Sequence, residues 1–104
     1  MWAVIGVWDI DEDLIDAIRS QVPDMAAGKI NLPGFVHGTW TMDGHAVLVF
    51  ADEPSALQYY EDMLTQGAVD RPGIRSVVWH LSEVGAESDT TGWTARDGTR
   101  HAQP

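Results

Sequence analysis

Hydrophobic and polar positions fall into four alternating runs and two runs of helical period. The first alternating run, Trp2–Ile10 (WAVIGVWDI), is apolar on both sets, and only Asp9 breaks the pattern. Apolarity on both sides, with β-branched residues and a glycine, predicts a central strand covered on both faces. Over residues 11–22 the period becomes helical. Leu14, Ile15, Ile18 and Val22 form one stripe, while Asp11, Glu12 and Asp13 supply a cap and negative charge at the positive helix end. Pro23 ends this helix or opens a further turn through Ala27. Residues 28–34 are a loop carrying the Pro33-Gly34 turn signal.

Residues 35–51 (FVHGTWTMDGHAVLVFA) are two alternating runs joined by Asp43-Gly44, the signature of a two-residue β-hairpin. Such a turn sets Met42 opposite His45, Trp40 opposite Val47, Gly38 opposite Val49 and His37 opposite Phe50. One face of the ribbon then carries Val36, Trp40, Val47 and Val49, and the other His37, Thr39, Leu48 and Phe50. Asp52-Glu53-Pro54 opens a second helix through about Gln66. Leu57, Tyr60 and Leu64 share its buried face, Tyr59 and Met63 flank it, and Gly67 is the stop. Residues 68–73 are a loop, and residues 74–84 (IRSVVWHLSEV) alternate as a fourth strand. From Gly85 onward periodicity is absent, so residues 85–104 read as a polar tail that only Trp93 is able to anchor.

The order β-α-β-β-α-β predicts an α+β, ferredoxin-like domain over residues 1–84. Its four-stranded antiparallel sheet carries both helices on one face, with the first and third strands central. The other face is apolar and bare, which marks an interface. A two-fold homodimer packed sheet to sheet through Val36, Trp40, Val47 and Val49 is the expected assembly.

Composition narrows the classes of function. A chain of 104 residues is one domain with one modest core. Sixteen acids against six bases give a net charge of −10. Nucleic-acid binding needs a basic footprint that this chain lacks, and an anionic membrane surface would repel it. Cysteine is absent, which removes disulfides, thiol nucleophiles and Cys-based zinc sites. The first ten residues lack a basic leader, and no apolar run approaches the ~20 residues of a membrane span. A cytoplasmic protein is expected.

The element order, the Leu32-Pro33-Gly34-Phe35 lead-in to the second strand and the run VFADEPSAL at 49–57 resemble the dimeric α/β-barrel superfamily, nearest to its antibiotic-biosynthesis monooxygenase type. The resemblance spans about residues 2–84. It implies sheet-to-sheet dimers with pockets between sheet and helices. The activities it implies include cofactor-free oxygenation of polyphenols, haem degradation and isomerisation. Haem-degrading members use an Asn on the first strand, a Trp late in the third and a His on the second helix. The matching places here hold Gly6, Phe50 and no histidine, which argues against haem chemistry.

On the two-residue register, His37 lies beside Phe50, where the resemblance implies a pocket-lining side chain. His37 is then a proton acceptor for a phenolic substrate; the alternative is a strand histidine hydrogen-bonded within the protein. Trp8, Phe50, Tyr60 and Trp79 are the candidate walls for a flat ligand, against a role in core and seam packing. Arg75 is placed to pair a substrate carboxylate or phenolate, against a surface salt bridge. His80 faces either the pocket or the dimer seam. His45 is read as exposed, on the opposite face from His37, and Asp9 as capping or solvated. No His-x-x-x-His pair, Gly-x-Gly-x-x-Gly, P-loop or Gly-x-Ser-x-Gly occurs, so neither metal nor cofactor is expected. Two functions follow. One is a cofactor-independent, monooxygenase-like enzyme acting on a small aromatic or phenolic molecule. The other is a non-catalytic ligand-binding or interaction module of the same fold. The enzyme requires a void on the order of a few hundred Å³ between sheet and helices, with His37 pointing into it.

Overall fold

The alternating and helical runs become strands and helices in the expected order. The computed structural model describes residues 1–66 and 73–103, and for Ser76 the backbone alone. β1 is Trp2–Ile10, α1 Ile15–Ala27, β2 Phe35–Trp40, β3 His45–Phe50, α2 Glu53–Gln66 and β4 Ile74–Glu83. The Gly67 stop and most of the 68–73 loop lie outside the described residues. The sheet order is β2-β3-β1-β4, every pair antiparallel, so β1 and β3 are central as the two-sided apolarity of Trp2–Ile10 requires. Val4, Ala46, Leu48 and Phe50 from these strands meet Ala56 and Tyr59 from α2 in the core. Each large apolar side chain buried there contributes roughly 1.5–3 kcal/mol.

The hairpin departs from the expected register by one residue. Thr41 pairs with His45, Trp40 with Ala46, Gly38 with Leu48 and His37 with Val49, leaving a three-residue loop, Met42-Asp43-Gly44. The cause is local. The Thr41 hydroxyl donates to Asp43 at 2.5 Å and accepts from the His45 N–H at 3.1 Å, which clips the loop at three residues. That bond, with one from His45, holds the Asp43 carboxyl below its usual range. Gly44 has φ of +97°, the left-handed residue that a three-residue loop needs. A slip of one residue exchanges the faces of a strand. Trp40 therefore joins Ala46 and Leu48 on the helix side, and His37 joins Val47 and Val49 on the other. Phe35 still faces Phe50, because a bulge at Val36 restores the phase.

Both helices differ in detail from expectation. A 3-10 turn, Glu12–Leu14, capped by Asp11, precedes α1, which runs on past Pro23 to Ala27, the second of its two expected courses. α2 buries Ala56 and Tyr59 and packs Tyr60 and Met63 against the core, while Leu57 and Leu64 are exposed, Leu64 by 52%. Both stripes obey the helical period. The one through small Ala56 lets the helix approach the sheet and places Tyr59 beside Phe50 and Trp79.

The segment read as an irregular tail forms three short strands, β5 Ala86–Asp89, β6 Gly92–Ala95 and β7 Arg100–Ala102, in a separate antiparallel sheet. Three- and four-residue strands are too short to show periodicity. Side chains hold the turns: Asp89 accepts from the Thr91 N–H at 2.8 Å and from Arg100 at 2.7 Å, and Asp97 accepts from the Thr99 N–H. Arg100, then Thr91, holds the Asp89 carboxyl far below its usual range. Trp93 stacks on His101 within this sheet, ring centroids 4.1 Å apart. The sheet meets the main body where Glu87 contacts His37, Arg96 pairs with Glu83 and the amino terminus donates to the Arg96 carbonyl. Val49, though on the face away from the helices, is only 2% exposed, so this corner of that face is already covered.

Candidate functional site

The helix-facing row Trp40–Ala46–Gly6–Trp79 crosses all four strands, with a large ring at each edge and small residues between. A Cβ on Gly6 would sit 2.6 Å from the Trp79 ring, so only glycine lets that indole lie flat on the sheet. Trp8 meets Trp79 edge to face at 5.5 Å, and Tyr59 of α2 meets Trp79 edge to face at 6.1 Å. Such pairs add roughly 0.5–1.5 kcal/mol beyond area burial. The chain leaves α1 through a turn in which the Lys29 N–H donates to the Ala26 carbonyl and the Lys29 carbonyl accepts from Leu32. This turn brings the Lys29 ammonium over the Tyr59 ring, 5.5 Å from its centroid.

Trp8, Trp40, Trp79, Tyr59, Lys29, Met25, Met63 and Gln66 line a half-open cavity of about 70 Å³. Tyr59 separates it from a second void of about 70 Å³ beside Phe50, Leu32 and Asp62. Trp8, Trp40 and Met25 border a third of about 20 Å³, which reaches Ile18 and Val22 of α1. Among the described residues, these three small adjoining voids stand between sheet and helices where the enzyme reading called for a few hundred Å³.

Of the residues expected at the site, Trp8 and Trp79 line this cavity and Phe50 lines the neighbouring void. Tyr60 packs half-buried against the core, and Tyr59 takes the position in the wall. Arg75 is at the surface, bonded to Asp9 at 3.3 Å and to the Ile10 carbonyl at 3.1 Å. His80 is exposed on the face away from the helices, opposite Ile5. His37 is on that face too, with Nε2 2.6 Å from Glu87, and is not a base for the interior cavity. His45 shares its face rather than opposing it, and bonds Asp43 at 3.0 Å. Trp40, Tyr59 and Lys29 were not legible as site residues. Trp40 follows from a three-residue hairpin loop, and Lys29 carries its own signal as the only lysine in the chain.

Two larger, more open hollows lie elsewhere, the second sharing Trp8 with the aromatic cluster. One of about 500 Å³ is lined by His37, Glu87, Ser88, Asp89, Thr94 and Arg100, whose charged groups already bond one another. The other, about 590 Å³, is bounded by Trp8, Ile10, Ile15 and Met42 together with the carboxylates Asp9, Glu12 and Asp43. Among the described residues no three His, Asp or Glu side chains converge as metal ligands, and no helix is long and apolar enough to cross a membrane.

This arrangement of strands and helices has a solved counterpart. The chain has a ferredoxin-like fold. It is similar to the haem-degrader MhuD from Mycobacterium tuberculosis, solved with two haems bound in its active site. The TM-score is 0.59 at 13% identity, over 81% of this chain and 95% of that one. No family model and no curated protein matches the sequence. The interior lining does not fit a haem. The voids are small, no histidine is among the described residues lining the tryptophan cavity or the one beside Phe50, and the His45 that borders the third is bonded to Asp43.

Proposed function

We propose that this chain is a monooxygenase-like protein of the dimeric α/β-barrel type that takes a small, flat, phenolic molecule between its sheet and helices. The convergence of Trp8, Trp40, Trp79 and Tyr59 around one cavity supports the reading. Indole and phenol rings stack a planar ligand at little entropic cost, and the Met25 and Met63 walls are flexible enough to yield volume. The fold is shared with a haem degrader, whose ligand does not suit this cavity. Electron-rich phenolic ketones need no cofactor. An activated CH2 loses a proton to water, the carbanion adds O2, the peroxide anion takes a proton back from water, and loss of water from the hydroperoxide leaves a carbonyl. The substrate carbon supplies all four electrons, and the protein supplies orientation and a dry pocket.

Oxygen uptake with a phenolic ketone bearing an activated CH2 tests this. Trp79→Ala is expected to lower turnover at least about tenfold through lost orientation, while His37→Ala leaves it within about twofold. Loss of turnover in His37→Ala alone would move the chemistry to the hollow beside Glu87. No protein-dependent uptake at all favours the second reading, a non-catalytic binding module. The small void where Trp8, Trp40 and Trp79 meet, with no histidine or carboxylate among its described lining residues, is the observation behind that reading.

The assembly proposed is a homodimer through the open sheet face. Its seam differs from the sequence expectation: Trp40 faces the helices and Val49 is already buried. Ile5, Val7, Val47 and Val78 form the apolar stripe, with Val36 on the edge strand, and Val78 is 55% exposed. Val78→Asp is expected to give a monomer in sedimentation velocity at micromolar concentration where the parent sediments as a dimer. A parent already monomeric there contradicts the assembly.

A further inference from the structure

We propose that the homodimer is gated by pH through His80, whose imidazole the seam between two copies admits only in its neutral form. The inference rests on the homodimer reading above and adds the regulation of that seam. It starts from what the open sheet face carries. Strand pairing sets Thr39, Val47, Ile5 and His80 in one row across this face, and His45, Val7 and Val78 in the next. His37, Val49, Ala3 and Ser82 form a third row, where Ala3 is 6% and Val49 2% exposed. Three of the chain's four histidines thus stand on one face. Of the two carboxylates within the four strands, Asp9 lies at the far end of that face and Glu83 points to the helix side with Trp2. The chain as a whole has 16 acids and a net charge of −10. Two copies therefore repel across most of their surfaces and meet at least cost through this face.

The three imidazoles differ in their partners. His37 bonds Glu87 at 2.6 Å and His45 bonds Asp43 at 3.0 Å, so each has a carboxylate beside it to balance a proton. Among the described residues, no hydrogen bond or ion pair reaches His80. On β1 it faces Ile5, with Ala3 and Val7 to either side, and along its own strand it stands between Val78 and Ser82. β4 is an edge strand, and the small sheet turns Glu87, Asp89 and Arg100 toward His37 on β2, at the opposite edge. Nearer to His80, Asp9 is bonded to Arg75 at 3.3 Å and Glu83 to Arg96 at 3.0 Å. A second copy brings the same groups, already engaged in the same way. A seam over Ile5, Val7, Val47 and Val78 buries His80 with them. A neutral imidazole enters such a seam at small cost, whereas an imidazolium gives up its hydration and gains no counter-charge. The separate chains then bind more protons than the dimer. Association is complete above the imidazole range and is lost as pH falls through it.

Sedimentation equilibrium of the full chain at about pH 8 and about pH 5.5 tests this. Two imidazoles of ordinary basicity, one per protomer, are expected to raise the dimer Kd about a hundredfold between those conditions. His80→Gln, a side chain of similar size that does not titrate, is expected to hold Kd within about threefold over the same range, while His45→Gln keeps the parent's dependence. Equal Kd values for the parent at both conditions overturn the gate and leave the homodimer standing. A parent monomeric at both removes the homodimer and the gate with it. Tighter association in acid overturns the gate, because the imidazole would then be meeting a carboxylate across the seam. A dependence as large as the parent's that survives in His80→Gln overturns the assignment to His80. Should His80→Gln not fold, the ring-proton signal of His80 in the parent still decides. Its titration midpoint is expected to move to lower pH as protein concentration is raised through the dimer Kd, and a midpoint independent of concentration overturns the proposal.

Discussion

Phe50→Ala, which truncates the largest fully buried side chain among the described residues, is expected to cost about 3–5 kcal/mol of stability. Phe50 is 1% exposed at the end of a central strand. Its ring meets Phe35 edge to face at 5.9 Å and Tyr59 at 5.6 Å, so it joins the edge strand, the central strand and α2. Removing it leaves a cavity that Phe35 and Tyr59 cannot close without abandoning their own contacts. Domains of this size have roughly 5–15 kcal/mol in total, so the variant should be largely or marginally unfolded at 37 °C. Urea unfolding followed by far-UV circular dichroism checks this. A loss under about 1 kcal/mol would mean the core is not organised around Phe50.

Gly6→Ala is the second large effect and the one that bears on function. Adding a single carbon is normally mild in a strand, and alanine is usually the better strand residue. Here the added Cβ would lie 2.6 Å from the Trp79 ring, and 3.0 Å from two more of its atoms. The indole must lift, and in doing so it pushes on Trp8 and Tyr59. Overpacking of this kind costs about 1–3 kcal/mol. The signature is coupling: in a Trp79→Leu background the same Gly6→Ala change should cost less than about 0.5 kcal/mol, because the clashing ring is gone. Additive costs in this cycle would mean that Gly6 is not glycine on account of Trp79. Ligand binding should weaken in Gly6→Ala even at temperatures where the variant is fully folded.

Much of this molecule was legible from residue patterns, and what was not has a definite cause. The order of elements, the central place of Trp2–Ile10 and the helices on one face follow from periodicity, and periodicity is what burial imposes. The hairpin was misjudged because Asp-Gly serves both two- and three-residue loops. The choice was made by the Thr41–Asp43 bond, a contact between side chains two residues apart. That one-residue difference moved His37 out of the candidate site and Trp40 into it. The second helix was misread because Leu57 and Leu64 outweigh Ala56 on any hydrophobicity count, although close approach to a sheet favours the small residue. The strands of residues 86–102 rest on turn bonds from Asp89 and Asp97, which leave no alternating apolar trace.

The central claim is that the interior aromatic cluster, and not the hollow beside His37, receives the ligand. Intermolecular nuclear Overhauser contacts from a bound naphthalene-ring probe measure this most directly. The structure predicts contacts to ring protons of Trp8, Trp40, Trp79 and Tyr59 and to the methyl groups of Met25 and Met63. Contacts confined to His37, Ser88 or Thr94 would contradict it.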